Sequence, residues 1–375
     1  MIDSSSQLSL FLQQFAVSVE RGFLPVQDPA SKLPTNYLPW IELAQDLHTS
    51  IQARQFRSAV LKLPLIDPVG LKQEDEKELA LLVLSFLAHA YVGTEENRLS
   101  HIPASLAVPW TQLADAMGRL PIIQHSGMVL RNWRRLRVEG EMTLENLTTL
   151  FSFTDTKDEE AFFLITVLVE VAGAKAIATA CKAYLAARQR NAEKVAQALG
   201  RLPSEIEGMT AVLSRMFDHC QPEVFYHQIR PYLASFEKVE FQGVDQDPIR
   251  NYHGGSAAQS TLFPVLDAVL GVRQTSPYLR LMRSYMPPLH AALVRRLEEE
   301  PALATFCKGI ARIEQLRQAS LDALINLRNL HLQIVAKYIL GPAAKSGKDS
   351  QGTGGTNPSI FLKEIRDTTR EAKNP

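Results

Sequence analysis

Residues 154–190 read TDTKDEEAFFLITVLVEVAGAKAIATACKAYLAARQR. Thr156-x-x-Glu159 has the spacing of a capping box, in which two side chains satisfy the free N–H groups of a helix start. Acidic residues come first and Lys and Arg come last, the order that opposes the helix dipole. Between them, residues 161–177 form the most apolar run of the chain. Glu170 and Lys175 interrupt that run before the ~20 residues that a bilayer span needs. The stretch therefore predicts one long helix buried in a protein core.

The same period extends outward. EDEKELALLVLSFLAHAYVG (74–93) has an acidic start and an apolar body. Residues 301–340 begin with a proline at a helix-start position, are open to interruption at Gly309, and are expected to stop at Gly341-Pro342. Strand pairs joined by hairpin turns are not evident, so the chain is read as all-α. Before about residue 140 the helices are short and separated by proline-bearing turns such as LPLIDP and IPASLAVPW. Beyond it they lengthen. The expected organisation is a smaller N-terminal helical domain (1–140), contributing to a pocket, and a large helical domain (141–375). The latter would include a mobile loop at 341–357 and a C-terminal helix, IFLKEIRDTTREAK. No internal repeat is visible.

Composition narrows the function. With 375 residues and 46% hydrophobic content the chain can bury a substantial core. Forty basic residues balance forty acidic ones, which gives no bulk electrostatic reason for a nucleic-acid or membrane partner. RNWRRLR (131–137) is a local basic cluster, the usual mark of a solvated helix end. Cys181, Cys220 and Cys307 are far apart and odd in number, which argues against a disulfide framework. The first residues have no signal-peptide pattern, and a cytoplasmic location is expected.

No zinc pattern and no nucleophile elbow is present. His219 and His227 are poorly spaced to bind one metal from one helix face. GTGGT (352–356) lacks the Gly-Lys-Ser/Thr of a phosphate loop and reads as a linker. HGGSAAQS (253–260) reads as a loop entering a helix, its glycines allowing close backbone approach. LRNLHLQIVAKYIL (327–340) sets His331 on an apolar helix face beside Leu324, Leu327, Ile334 and Val335. Two readings stand: a buried histidine bonded to a carbonyl, or an axial ligand to haem iron in an apolar slot.

The order of FLPVQDP, HIPASLAVPWTQLA, LFSFTDTKDEEAFFLITVLVEVA, HGGSAAQSTLFPVLDAVLG, RSYMPPLH, LRNLHLQIVAKYI and GTGGT resembles the indoleamine 2,3-dioxygenases, haem enzymes of tryptophan breakdown. The resemblance spans roughly residues 20 to 370, and the chain is read as a bacterial-type member. It implies haem b with His331 as proximal iron ligand. Arg328 would approach a haem propionate, Asp267 would join a polar network behind the proximal histidine, and Gly254 would lie at the cofactor. Phe162, Phe225 and Arg230 would hold the substrate, Arg230 by its carboxylate. Gly255, Ser256 and Ala257 would border the pocket, and Thr353 would close over it. Thr166 and His125 would stand nearest the chemistry, as organisers. The family commonly has Ser at the position of Thr166, and its mammalian members have Tyr at His125 and Cys at Met128.

The implied reaction inserts both atoms of O2 across the indole C2=C3 bond of L-tryptophan or a related indoleamine, giving N-formylkynurenine. An unidentified reductant would keep the iron ferrous. The altered distal residues leave open a rearranging, biosynthetic haem enzyme of the same fold. A non-catalytic haem or gas sensor is the third reading. A carboxylate clamp at Arg230 would be of no use to it.

Overall fold

A computed structural model describes residues 4–93, 98–347, 352 and 357–373. The fold is all-α, organised around the helix Lys157–Arg188. Its neighbours are Ala192–Ser214, which also packs on Ala311–Val335, and Leu262–Leu270. By length and composition the 32-residue helix could cross a membrane, despite Glu170 and Lys175, which corrects the argument from interruption. What identifies it as a core helix is burial: 72% of its most apolar window lies inside the fold. Gly173 lets Leu262–Leu270 approach, since a Cβ there would stand 2.2 Å from Leu262 Cδ1.

Only half of the expected capping box forms. Thr156 Oγ1 accepts from the Glu159 N–H at 3.2 Å. The Glu159 carboxylate does not return to Thr156. It accepts instead from Ser152 Oγ, Phe153 N, Thr154 N and Thr154 Oγ1 at 2.6–2.8 Å. Fully buried, it needs those donors, because an unpaired interior carboxylate is costly.

Two helical readings change and one holds. IPASLAVPW is no turn: Ala104–Ala116 is a helix with Pro109 inside it. The proline forfeits one hydrogen bond, to the Ser105 carbonyl, while Leu106 and Trp110 on the same helix are fully buried. Gly309, at φ 83°, does separate Ala302–Cys307 from Ala311–Val335. The chain does not stop at Gly341-Pro342, however. A π-helical turn, Ala336–Leu340, carries it into Gly341–Ser346, and it ends at Gly347 with φ 63°. The Gly341 N–H bonds the Ala336 carbonyl, and Pro342 falls in a first turn, where its missing donor costs little.

Strands also occur. Phe236–Phe241 pairs in parallel with His101–Ile102 and antiparallel with Ile249–Tyr252, and Arg134–Arg135 pairs with Leu147–Thr148. Phe236 and Phe241 pack against Trp110, and Phe236 stacks on His89 at 4.4 Å. One contiguous buried cluster runs from Leu8 to Tyr338. The three cysteines lie within it, and burial pushes each thiol up to about 12.

Candidate active site

A cavity of about 260 Å³ opens between Lys157–Arg188, Ala311–Val335, the 255–264 segment and the C-terminal helix Pro358–Glu371. A packing defect that admits one water needs only ~10–15 Å³, so this is a built site. Both π-helical turns of the described chain, Phe225–Ile229 and Ala336–Leu340, supply its wall, through Phe225, Tyr338 and Ile339. Such turns recur at functional sites because the extra residue re-aims side chains. The Tyr338 hydroxyl lies 2.6 Å from the Met216 and Cys220 carbonyls and ties one of these turns down.

His331 occupies one wall. It lies deep in the fold yet keeps partial accessibility, and that surface faces the cavity. Among the described residues its imidazole has no hydrogen-bond partner. Desolvation, aided by Arg328, lowers its pKa to about 4. A neutral imidazole with a free lone pair in an apolar slot is the donor that haem iron requires. The carbonyl-bonded reading of His331 therefore finds no partner. Arg328 is buried at the same cavity. Its Nη2 stands 2.7 Å from both Asp267 oxygens, and its Nη1 donates to Thr369 Oγ1. Asp267 thus pairs with Arg328, and Gln274 also donates to it at 3.2 Å. The residues fit a haem: one neutral nitrogen ligand, apolar walls, and a buried cation to face a propionate.

Across the cavity, Phe162, Thr166 and Glu170 recur every four residues and share one helix face. Phe162 meets Phe225 with ring centres 4.7 Å apart. The Thr166 hydroxyl donates to the Phe162 carbonyl at 2.8 Å. His125 begins a short turn, with its N–H held by Gln259 Oε1 at 3.0 Å and its Nε2 2.9 Å from Glu170 Oε1. Ser260 Oγ donates to the same oxygen at 2.8 Å. Gly255 lies against Met128, whose Sδ would be 3.0 Å from any Cβ there. Ser256 Oγ caps the turn Ala257–Gln259, and Ser256 and Ala257 line the cavity.

Two predicted residues stand outside the lining. Gly254 is buried against residues 233–235, where a Cβ would meet the Leu233 carbonyl at 2.0 Å; it lets two backbones cross. Arg230 is half-buried one turn beyond Phe225, its guanidinium 5.0 Å above the Tyr226 ring. Thr353 lies outside the described residues. Sequence reasoning missed Glu170, Gln259 and Ser260 as site residues, along with Phe361, Leu362 and Ile365 of the C-terminal helix. A charged residue in an apolar helical run was the available signal for Glu170.

An all-α shell around an apolar cavity with one unpartnered imidazole has the donor and the walls that a haem protein needs. The family model "Indoleamine 2,3-dioxygenase" matches residues 11–372. The chain is 36% identical to human "Indoleamine 2,3-dioxygenase 2", covering 97% of this chain and 95% of that protein. It is 33% identical to mouse "Indoleamine 2,3-dioxygenase 1", covering 96% and 95%. It is 30% identical to "6-hydroxytryptophan 2,3-dioxygenase fscD" of Fusarium equiseti, covering 96% and 97%. The chain belongs to the indoleamine 2,3-dioxygenase family and is an oxidoreductase.

Proposed function

We propose that the chain is a haem-dependent dioxygenase that adds both atoms of O2 across the C2=C3 bond of L-tryptophan, or of a related indoleamine, to give an N-formylkynurenine. The observation that carries this reading is the neutral, unbonded imidazole of His331, set in an apolar cavity that the Phe162–Phe225 pair also lines. His331 would ligate the iron, and Arg328, backed by Asp267, would face a propionate. When bound, haem supplies the O2-activating chemistry.

The chain's residues position the substrate and keep water out. Phe162 and Phe225 offer an aromatic slot for an indole. Phe361, Leu362 and Ile365 cover one flank with hydrocarbon. The Thr166 proton is committed to the Phe162 carbonyl, so the hydroxyl's remaining capacity is to accept. Gly255, Ser256 and Ala257 border the pocket. Arg230 is the candidate clamp for the carboxylate and would leave Tyr226 to reach it. A guanidinium fork suits a carboxylate, and such a bond is worth roughly 1.5–3 kcal/mol.

The test is anaerobic reduction of the haem-loaded protein, followed by L-tryptophan and O2. Appearance of the formylkynurenine absorbance with stoichiometric O2 uptake is expected. Haem-loaded protein that binds tryptophan yet forms no such product would overturn the reading.

A further inference from the structure

Glu170 is a carboxylate in the most apolar helix of the chain, 2% exposed, and the assigned chemistry does not use it. An interior carboxylate persists only when donors meet it. Here the donors come from two distant segments, His125 Nε2 and Ser260 Oγ, and both converge on Oε1. Oε2 is buried and has no hydrogen-bond partner among the described residues. The His125 backbone is fixed as well, through Gln259, whose amide nitrogen donates to the Gly254 carbonyl at 2.9 Å. The imidazole is therefore held at both ends at the cavity wall.

A carboxylate on one ring nitrogen decides what the other can do. In the neutral tautomer that places its Nε2–H on Glu170, the ring keeps a lone pair on Nδ1. Nδ1 is the ring's remaining polar atom, and no described residue bonds it. Thr166, one helical turn before Glu170, offers a hydroxyl oxygen on the same wall. The wall thus presents acceptors to the substrate. An aromatic C–H gains nothing from them, whereas a ring hydroxyl does.

We propose that Glu170 is a positioning residue that fixes His125 as a hydrogen-bond acceptor, forming a subsite for indoleamines that carry a hydroxyl on the benzo ring. The proposal rests on the function proposed above and narrows its substrate class. One relative is named as a 6-hydroxytryptophan dioxygenase, which accords with such a class.

The haem-loaded protein tests this through equilibrium binding, read from the Soret shift and by calorimetry. The probes are 5- and 6-hydroxytryptophan, each paired with the fluoro analogue of similar size that has no proton to donate. The wild type should prefer the hydroxy member of at least one pair by about five- to tenfold, the scale of one neutral hydrogen bond. In His125→Phe the preference should vanish. In Glu170→Gln the amide can donate to Nε2, which would leave the proton on Nδ1, so the preference should vanish or reverse. The ratio within each pair is the readout, because a general loss of packing lowers both members alike. A preference that survives both substitutions, or a wild-type ratio near one, overturns the subsite. Failure of tryptophan and every analogue to bind would instead overturn the functional reading itself.

Discussion

At the scale of single residues the cavity separates groups that must act from groups that only fill. His331 is the first kind: it lies on a wall of Leu, Ile and Val and has no described partner. His331→Ala should abolish stable haem retention, measured as haem per chain after gel filtration. A full complement with an unchanged ferrous spectrum would remove His331 from the iron. Thr166 falls between the two, an acceptor on the wall that transfers no proton. Its proton is already shared with a carbonyl, so Thr166→Ala should leave most turnover intact. A fall in kcat beyond roughly a hundredfold, the scale of general acid–base catalysis, would show that its hydroxyl moves a proton. Arg230 presents a sharper contrast. Arg230→Leu should weaken tryptophan by about 2–5 kcal/mol while barely affecting tryptamine, which brings no carboxylate into the pocket. Equal losses would mean that Arg230 supports the turn through Tyr226 instead. Helical period set His331 on an apolar face, but only the family resemblance decided for iron and put Phe162 in the pocket. Glu170 was legible only as a charge out of place, because its partners stand 45 and 90 residues away. Sequence spacing cannot carry a hydrogen bond of that separation.

At the scale of elements, the long apolar helix could be read and the hairpin could not. Phe236–Phe241 contains a bulge at Lys238, where φ is 51°, and burial runs in–out–out–in instead of alternating. Without a clean period of two, a strand loses its signal. In the helix Glu74–Gly93, His89 stacks on Phe236 of this hairpin and bonds two segments outside it. Its Nδ1–H donates to the Tyr232 carbonyl at 2.7 Å, and its Nε2 accepts the Ile123 N–H at 3.1 Å. Protonation would destroy the second bond, and desolvation lowers the His89 pKa to about 3. Burial does the same to His290. Both are neutral when folded and take up a proton on unfolding below their ordinary value of 6.5. Their contribution is complete above about pH 6.5 and is lost as pH falls toward 3. From pH 7 to pH 5 each should cost about 2 kcal/mol of stability, seen as a lower urea midpoint. His89→Asn should flatten part of that slope. An unchanged slope would mean that His89 is already protonated in the fold.

At the scale of the whole molecule, the site is assembled from both ends of the chain. His125 and Glu170 face a cavity whose other flank belongs to Pro358–Glu371. That helix is pinned by Arg328 to Thr369, by Arg317 to the Ala372 carbonyl, and by Lys373 to Asp322 at 2.5 Å. Family resemblance brought His125, Thr166 and His331 to one pocket, whereas the flank from Pro358–Glu371 went unread and periodicity alone reached only a set of helices. Cys181, Cys220 and Cys307 all lie in the common interior, with thiols near 12. A thiol reagent should therefore label none of the three in the native protein and all three in denaturant. Rapid native labelling would place at least one thiol at an opening. For a catalyst that handles dioxygen, peroxide and superoxide are the expected stray by-products, and sulfur is their usual first casualty. Here the sulfhydryls are kept as protonated core filler, out of reach of oxidants formed in the cavity, so exposure to air should leave all three cysteines reduced.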